Sequence, residues 1–454
     1  MTKLTDITEA ERLAIEKDIF ADMDAANADP THPRWHLTPP SHCMIDFWGA
    51  ADADGWHHIF YHTFRYAGLF GEDTIFGHAR SRDFLQYEQL PLPICPAKEE
   101  LRMNDGFICM KPDGTPVMLY TSVPRDNIPR SHYAAIGDRG LLRFERCSEP
   151  FMTLENHGGP AFGGGWSDPY VFEAFGRTFM LMSKCVENGK NRMPIYEAKD
   201  DSFTHWEYRG IMFEDNGEVV NFFPMGDKWV MIFCPYGPIR WFVGTFDEAT
   251  LTFLPENDGI LCHGFVDQSK PDRGFYATCV YQEAERRTLC GWMSGFPKDR
   301  MWSGCMGTPR ELGINEKMQL TANPIREIES LHIGEAMRFI GENGCMEFGA
   351  PSLDMTLVLY GDVVLDFEGM TRISVTSDGF DIDGFSRPDT LAPAKNRRLR
   401  ILMDCSFVEL YFDDGAVSAA RPVRYAGETV RLHVHGKAEI TAWQMRAVPA
   451  KVGF

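Results

Sequence analysis

The strongest constraint on this chain is a recurrence. Five times, beginning near Met44, Asp105, Asp168, Glu218 and Gly274, it returns to the same grammar: a strand-like run, a turn, then a second run rich in aromatics. The returns come about 50–63 residues apart, the length of a four-stranded antiparallel unit with its turns. A β-sandwich is not expected to show such a period. Runs of strand composition fill the units, among them His57–Phe64, Val117–Ser122, Thr178–Ser183, Trp229–Cys234, Arg240–Phe246 and Thr288–Met293. Gly, Asp, Asn and Pro separate them. With 41 Gly, 28 Pro and 13% aromatic residues, the composition suits a turn-rich β protein. The expectation is an all-β chain whose centre is a five-bladed β-propeller.

The flanks read differently. Residues 5–28 have apolar side chains at roughly helical spacing (Ile7, Leu13, Ile15, Ile19, Phe20, Met23), with Thr5 or Asp6 available as a cap. They predict one amphipathic helix serving packing or subunit contact, so a homo-oligomer is an option. From Asn323 to His332 the chain reads as a connector. Beyond it, Leu399–Met403, Phe407–Phe412, Ala416–Ala419 and Val430–Val434 alternate like the strands of a sandwich. The expected division is an N-terminal extension over 1–30, the propeller over 31–322, a linker over 323–335 and a C-terminal β-sandwich over 336–454.

At 454 residues the chain has ample length for large buried cores. A formal charge of −20 argues against nucleic acid or an anionic membrane as partner, since both need clustered Lys and Arg. Twelve Cys without a Cys-x-x-Cys pair argue against a zinc ribbon or redox dithiol. Several sit beside apolar residues, as in Ile94-Cys95 and Phe233-Cys234, where reduced core thiols are found. The start of the sequence has no basic segment followed by an apolar one, and no apolar run reaches membrane-spanning length. A cytoplasmic location is expected.

Three acids stand out. Asp46 lies between Met44, Ile45, Phe47 and Trp48, shortly after a Pro-Pro break. It is either a structural cap or a catalytic carboxyl in a partly desolvated pocket, and spacing alone favours the cap. Asp168 opens a run as Asp-Pro, an ordinary turn. Glu218 begins an apolar run, Val219 to Phe223, where desolvation would raise its pKa towards that of a proton donor. His57, His58 and His62 could suggest a metal. Their run has strand composition, however, and residues four apart on a strand lie about 13 Å from each other, too far to share one ion. The Gly-rich run 158–165 lacks the Gly-Lys-Ser/Thr ending and following helix of a phosphate loop, and reads as a turn.

Taken together, these stretches resemble glycoside hydrolase family 32, the invertases, levanases and inulinases. The family's first motif is His-Phe-x-Pro-x-x-x-Trp-Met-Asn-Asp-Pro-Asn-Gly. Here His36, Pro39, Met44, Asp46 and Gly49 fall in register, with Leu37, Cys43, Ile45, Phe47 and Trp48 departing. Phe76-Gly-His-Ala-Arg-Ser-Arg-Asp-Phe84 is similar to Trp-Gly-His-Ala-x-Ser-x-Asp-Leu, and Leu90-Pro-Leu-Pro93 follows it. Ser167-Asp-Pro-Tyr-Val-Phe172 resembles Arg-Asp-Pro-x-Val-Phe, with Ser167 in place of Arg. Glu218, Phe223, Pro224, Trp229 and Val230 keep the spacing of Glu-Cys-Pro-Asp-x-Phe-Pro-Leu-x-x-x-Trp-Val. Gly291-Trp-Met293, Thr308-Pro-Arg-Glu-Leu312 and the run Asp404–Gly415 also resemble family motifs.

The resemblance implies a retaining β-fructofuranosidase or close relative acting on a small-molecule carbohydrate, without metal or organic cofactor. Asp46 would be the nucleophile, Glu218 the acid/base and Asp168 the group bracing ring hydroxyls. Ile45, Trp48, His62, Phe76, Asp105, Ser167 and Trp292 would line the sugar pocket. Ile45 and Trp48 replace two Asn, and Ser167 replaces a forked Arg donor, whereas Trp48 would offer stacking area. Weak activity on sucrose and preference for a less polar, cyclised or differently substituted furanoside are therefore expected. A fructosyltransferase or difructose-anhydride-type enzyme is the alternative within the class. A carbohydrate-binding propeller without turnover is the alternative outside it.

Overall fold

The computed structural model describes residues 4–65, 74–126, 129–264, 274–297 and 300–454. Apart from two short helices and one 3-10 turn, its regular elements are strands. No described helix is long and apolar enough to cross a membrane.

The runs read from composition form strands at the expected places: Trp56–Phe64, Pro116–Pro124, Arg177–Glu187, Lys228–Cys234, Ile239–Asp247 and Arg287–Met293. They assemble into antiparallel sheets. Three are separate: one running from Gly163 to Phe213, one from Glu218 to Cys262 and one from Phe275 to Pro324. Earlier strands belong to an eleven-stranded sheet, whose halves join through one parallel contact between Thr74 and Arg102.

Five strands lie innermost: His42–Ala53, Glu100–Met110, Gly163–Ala174, Glu218–Met225 and Phe275–Gln282. Each packs on the next and the fifth packs on the first, so the five close a ring. Side chains fasten neighbouring members. Asn221 donates to the Thr278 carbonyl at 2.8 Å and accepts from the Val280 amide at 2.9 Å. The Asp168 amide of the third donates at 3.1 Å to Thr121 Oγ1, on strand Pro116–Pro124, which pairs with the second.

The C-terminal strands also match expectation, with Asn396–Asp404, Phe407–Phe412, Val417–Pro422 and Val430–Met445. Strands His332–Phe348, Ser352–Phe367 and Val430–Met445 are long enough to serve two layers. Ser352–Phe367 pairs with Asn396–Asp404 along its first half and Thr371–Val375 along its second. The two arms close over one apolar core, where the Phe380 and Phe412 rings stack 5.0 Å apart. This is a sandwich. The expected connector carries a 3-10 turn, Arg326–Leu331, set between strands Leu320–Pro324 and His332–Phe348, with Ile328 and Leu331 buried.

Two readings change. The single helix expected over 5–28 is two, Glu9–Phe20 and Met23–Ala28. Thr8 caps the first, because its hydroxyl takes the Glu11 amide while the Glu11 carboxylate takes the Thr8 amide. Asp22 leaves the helical region at φ −104°, ψ 11°, which separates the two. Ile19 packs with Ile75, Leu92 and Cys95 of the same chain, and buried Glu16 accepts the Leu92 amide at 2.9 Å. The Gly-rich run is only partly a turn, since Gly163 and Gly164 pair with Val186 and Cys185.

A buried charge network joins the N-terminal segment, the fifth sheet and the sandwich. His36 Nδ1 meets Asp404 Oδ2 at 2.8 Å, and Asp404 also accepts the Arg34 and Trp35 amides. Glu409 takes Arg310 at 3.1 Å and the hydroxyl and amide of Thr308. The Arg310 guanidinium lies 3.7 Å over the Phe275 ring. Burial alone would push the Glu409 carboxyl up; His36, Arg310 and Thr308 instead hold it down to about 2. Its stabilisation is therefore complete above the ordinary value near 4.5 and is lost as pH falls through about 2. Arg310→Met strands Glu409 and should cost about 3–5 kcal/mol in denaturant unfolding. Arg310→Met with Glu409→Gln should cost clearly less than the two single changes summed. Additive losses would show that the pair is not coupled.

Candidate active site

The same backbone device recurs in each inner strand: a bulge, with one or two residues left out of register. Register breaks fall around Asp46, Asp105 and Asp168, between Glu218 and Asn221, and around Ala277. Asp46, Asp168, Val219 and Ala277 have φ of 41°, 58°, 52° and 41°. Left-handed backbone at non-glycine residues costs on the order of 1–3 kcal/mol each and concentrates where side chains must be re-aimed. Gly106, after Asp105, has no alternative, since an added Cβ would lie 1.8 Å from the Leu119 carbonyl oxygen.

The bulges bring four carboxyls together. The Asp168, Asp105 and Glu218 side chains are 3%, 6% and 13% exposed, whereas Asp46 is 24% exposed. Asp46 is thus the carboxyl most open to an incoming molecule. His62 stands between two of them, with Nδ1 3.5 Å from Asp46 Oδ2 and Nε2 3.3 Å from Asp105 Oδ1. Phe76 stacks on the His62 ring at 5.4 Å and fixes its plane.

A residue the motif reading missed sits between the other two acids. Lys184 Nζ lies 2.8 Å from Glu218 Oε2 and 3.1 Å from Asp168 Oδ2. The available signal was one lysine in the apolar run Phe179–Cys185, on a strand whose neighbours are nearly all buried.

These neighbours set the protonation of the cluster. Burial raises the Glu218 carboxyl, Lys184 opposes the rise, and Asp46 and Asp168 reinforce it. Burial, then Asp46 and Asp168, push Asp105 well above the carboxylate range, which favours a neutral acid beside His62. Burial works against the Lys184 ammonium, but Asp168 and Glu218 keep it firmly charged. The site therefore combines a buried carboxyl suited to donate a proton with a second, more accessible carboxyl in one pocket.

The other expected pocket residues fall in different surroundings. Trp48 offers no open face: it is 2% exposed, and its ring packs on Phe76 at 4.2 Å and on Phe60 at 5.4 Å. The sugar-stacking expectation for Trp48 fails because the next strands cover the ring. Ile45 belongs to the central apolar core. Ser167 is fully buried with no partner for its hydroxyl, and Trp292 is buried with its indole nitrogen unpartnered. His57, His58 and His62 share strand Trp56–Phe64, and His58 bonds to His78 at 2.9 Å. Asp46, His62 and Asp105 each bring one potential ligand atom within 4.8 Å of the others, so these three could geometrically hold a cation.

The sequence model described as "Glycosyl hydrolases family 32 N-terminal domain" matches residues 36–324. The chain is 25% identical over 449 residues to the sucrose-6-phosphate hydrolase of Klebsiella pneumoniae, covering 88% of this chain and 90% of that one. Among solved structures it resembles the GH32 β-fructofuranosidase of Bombyx mori, with a TM-score of 0.83 at 20% identity over 98% of this chain and 100% of that one. A mutant of that enzyme is known in complex with sucrose. The sucrose-6-phosphate hydrolase of Lactobacillus gasseri is similar too, with a TM-score of 0.81 at 19% identity over 97% of each chain. At such identities the structural likeness establishes the fold alone. The family match takes in well over half of the chain, including all four clustered acids: this chain belongs to glycosyl hydrolase family 32 and is by class a glycosidase.

Proposed function

We propose that this chain hydrolyses small β-fructofuranosides with retention, on a five-bladed propeller over about residues 31–322 followed by the sandwich over 336–454. The closed ring of five bulged inner strands supports the blade count. One observation carries the chemistry: Asp46, Asp168 and Glu218, from three separate strands, meet in one pocket, with Glu218 raised by burial and Asp46 the most accessible.

In this reading Asp46 attacks the anomeric carbon while Glu218 protonates the leaving oxygen. Glu218, now a carboxylate, then takes a proton from water as that water releases the sugar from Asp46. Asp168 braces ring hydroxyls as oxocarbenium character develops. His62 and neutral Asp105 are the polar groups beside the nucleophile, and Ile45, Phe76 and Trp292 form walls behind them. A relative named sucrose-6-phosphate hydrolase and a β-fructofuranosidase mutant solved in complex with sucrose support a fructosyl donor of this size. Low activity on sucrose itself remains the expectation from Ile45, Trp48 and Ser167, which stand where the family has two Asn and an Arg and are all buried. The specificity constant should be higher on another furanoside when sucrose, sucrose 6-phosphate, an inulin-type trisaccharide and difructose anhydrides are compared. Equal or greater efficiency on sucrose would show that His62, Asp105 and Lys184 supply the contacts instead.

Glu218→Gln should lose on the order of 10²–10⁴ in turnover while keeping its unfolding midpoint, because acid catalysis and not packing is removed. Full activity would exclude the acid role. Activity must fall as Glu218 deprotonates, so its raised pKa extends the alkaline limb of the rate profile beyond that of an ordinary carboxyl. Dialysis against a chelator should leave turnover unchanged. A loss restored by added divalent cation would reassign Asp46, His62 and Asp105 to a metal centre.

A further inference from the structure

Lys184 is in ionic contact with two of the four clustered acids, Asp168 and Glu218, and its placement is built rather than incidental. It lies on strand Arg177–Glu187, opposite the bulge that holds Gly165 and Trp166 between the pairs Gly164–Cys185 and Ser167–Ser183. Its own backbone is left-handed at φ 57°. The amide donates to the Gly217 carbonyl at 3.0 Å and to Asn216 Oδ1 at 3.1 Å, which ties it to the residues just before Glu218. The aliphatic stem crosses Gly165. A Cβ added there would lie 2.5 Å from Lys184 Cβ and 2.8 Å from its Cδ. The missing side chain at position 165 is what lets the ammonium reach both acids.

We propose that Lys184 is the positioning residue of this site: it fixes the rotamer of Glu218 against Asp168, sets the pH at which Glu218 gives up its proton, and turns its remaining N–H towards the hydroxyls of the bound sugar. This rests on the assignment of Glu218 as the acid. An ammonium has three donors, and Lys184 Nζ lies in ionic contact with Glu218 Oε2 at 2.8 Å and Asp168 Oδ2 at 3.1 Å, with neither Asp168 oxygen otherwise hydrogen-bonded. A donor not taken up by these acids is available to a ring hydroxyl of the bound sugar. Through it, Lys184 favours substrates with a hydroxyl or anionic oxygen at that point over analogues lacking one, since a buried charge left without that partner is costly.

The consequence for pH follows from every charged or titratable neighbour of Glu218. Lys184 favours its ionised form, while burial, Asp46 and Asp168 oppose it; the Tyr236 hydroxyl is a hydrogen-bond partner of the carboxylate, and Asp105, Tyr276 and Cys234, all pushed upward, add no charge beside it. Removing Lys184 takes away the cation that favours ionisation and leaves burial, Asp46 and Asp168 opposing it. Glu218 then keeps its proton to higher pH.

The test uses the full-length protein and three variants, Lys184→Met, Lys184→Arg and Gly165→Ala, with kcat and KM measured from acid to alkaline pH. Lys184→Met should lose about 10²-fold in kcat with a smaller change in KM. Its alkaline limb should move up by about one pH unit or more, the size of shift expected for losing an opposite charge within hydrogen-bond distance. Lys184→Arg should bring the alkaline limb most of the way back. Gly165→Ala, which leaves the ammonium in the chain but displaces its stem, should move the limb in the same direction as Lys184→Met. Titration of the Glu218 carboxyl, followed by infrared difference spectroscopy against Glu218→Gln, should show the same upward shift in Lys184→Met whether or not a substrate is turned over. An unchanged Glu218 titration in folded Lys184→Met, or an unmoved alkaline limb, overturns the role of Lys184. Absence of turnover on every fructoside by the wild type instead overturns the proposed reaction, and the carboxyl titration still decides the claim about Lys184.

Discussion

Four carboxyls held in a largely buried pocket repel one another, and that constraint shapes the rest of this molecule. Like charges at such proximity cannot all ionise, so some acids stay protonated and a cation must sit among them. Both responses are visible. Burial and its neighbours push Asp105 well upward, and the Lys184 ammonium lies within 3.1 Å of Asp168 and 2.8 Å of Glu218. The cluster is assembled from bulged strands with left-handed residues at Asp46, Asp168 and Lys184, conformations that a loosely packed chain would relax. The ring of inner strands, tied by Asn221 and Thr121, supplies the rigidity that holds them. A second buried charge network, from His36 through Asp404 and Glu409 to Arg310, anchors the N-terminal segment and the fifth sheet to the sandwich. Its acids are fully paired. The contrast separates charges that hold the fold from charges left partly unsatisfied for chemistry.

Much of this was legible in the residues, for identifiable reasons. The recurrent grammar falls within or beside each of the five inner strands, with Asp105 and Asp168 inside strands that start at Glu100 and Gly163, because each sheet needs the same turn and the same apolar partner strand. The C-terminal strands follow simple alternation. The three acids were found through motif spacing, which survives even where flanking residues change. Side-chain direction was much less legible. Trp48 lies two residues beyond Asp46, and only the tertiary packing of Phe60 and Phe76 decides that its ring is enclosed. Lys184 belongs to no motif quoted for the family. Its role comes from a cross-strand meeting with a bulge, and a linear reading has no means of counting bulge residues. Apolar spacing over 5–28 overextends the N-terminal helix for a local reason: a capping box at Thr8 and a backbone break at Asp22 outweigh a spacing that runs through both.

The pocket also shows how a family pattern can be rewritten without losing its acids. Ile45, Trp48 and Ser167 contribute no hydrogen-bond donor that reaches the carboxyls, and all three are buried. Polar character comes from other elements: His62 on the second strand of the first hairpin, Asp105 on the next inner strand and Lys184 beside the third. A lysine offers a flexible point charge where a guanidinium would offer a planar fork, so the hydroxyls it can serve differ in number and direction. This redistribution bears on which fructoside is accepted more than on whether one is cleaved.

The central claim is that Asp46 forms a covalent bond to the sugar, and trapping tests it most directly. Glu218→Gln, mixed with a fructosyl donor carrying an activated leaving group and quenched in acid, should accumulate a species heavier by one anhydrofructosyl unit. Peptide mapping should place the added mass on Asp46. A donor consumed by this variant with no adduct, or an adduct on Asp105 or Asp168 with Asp46 unmodified, would contradict the assignment of the nucleophile.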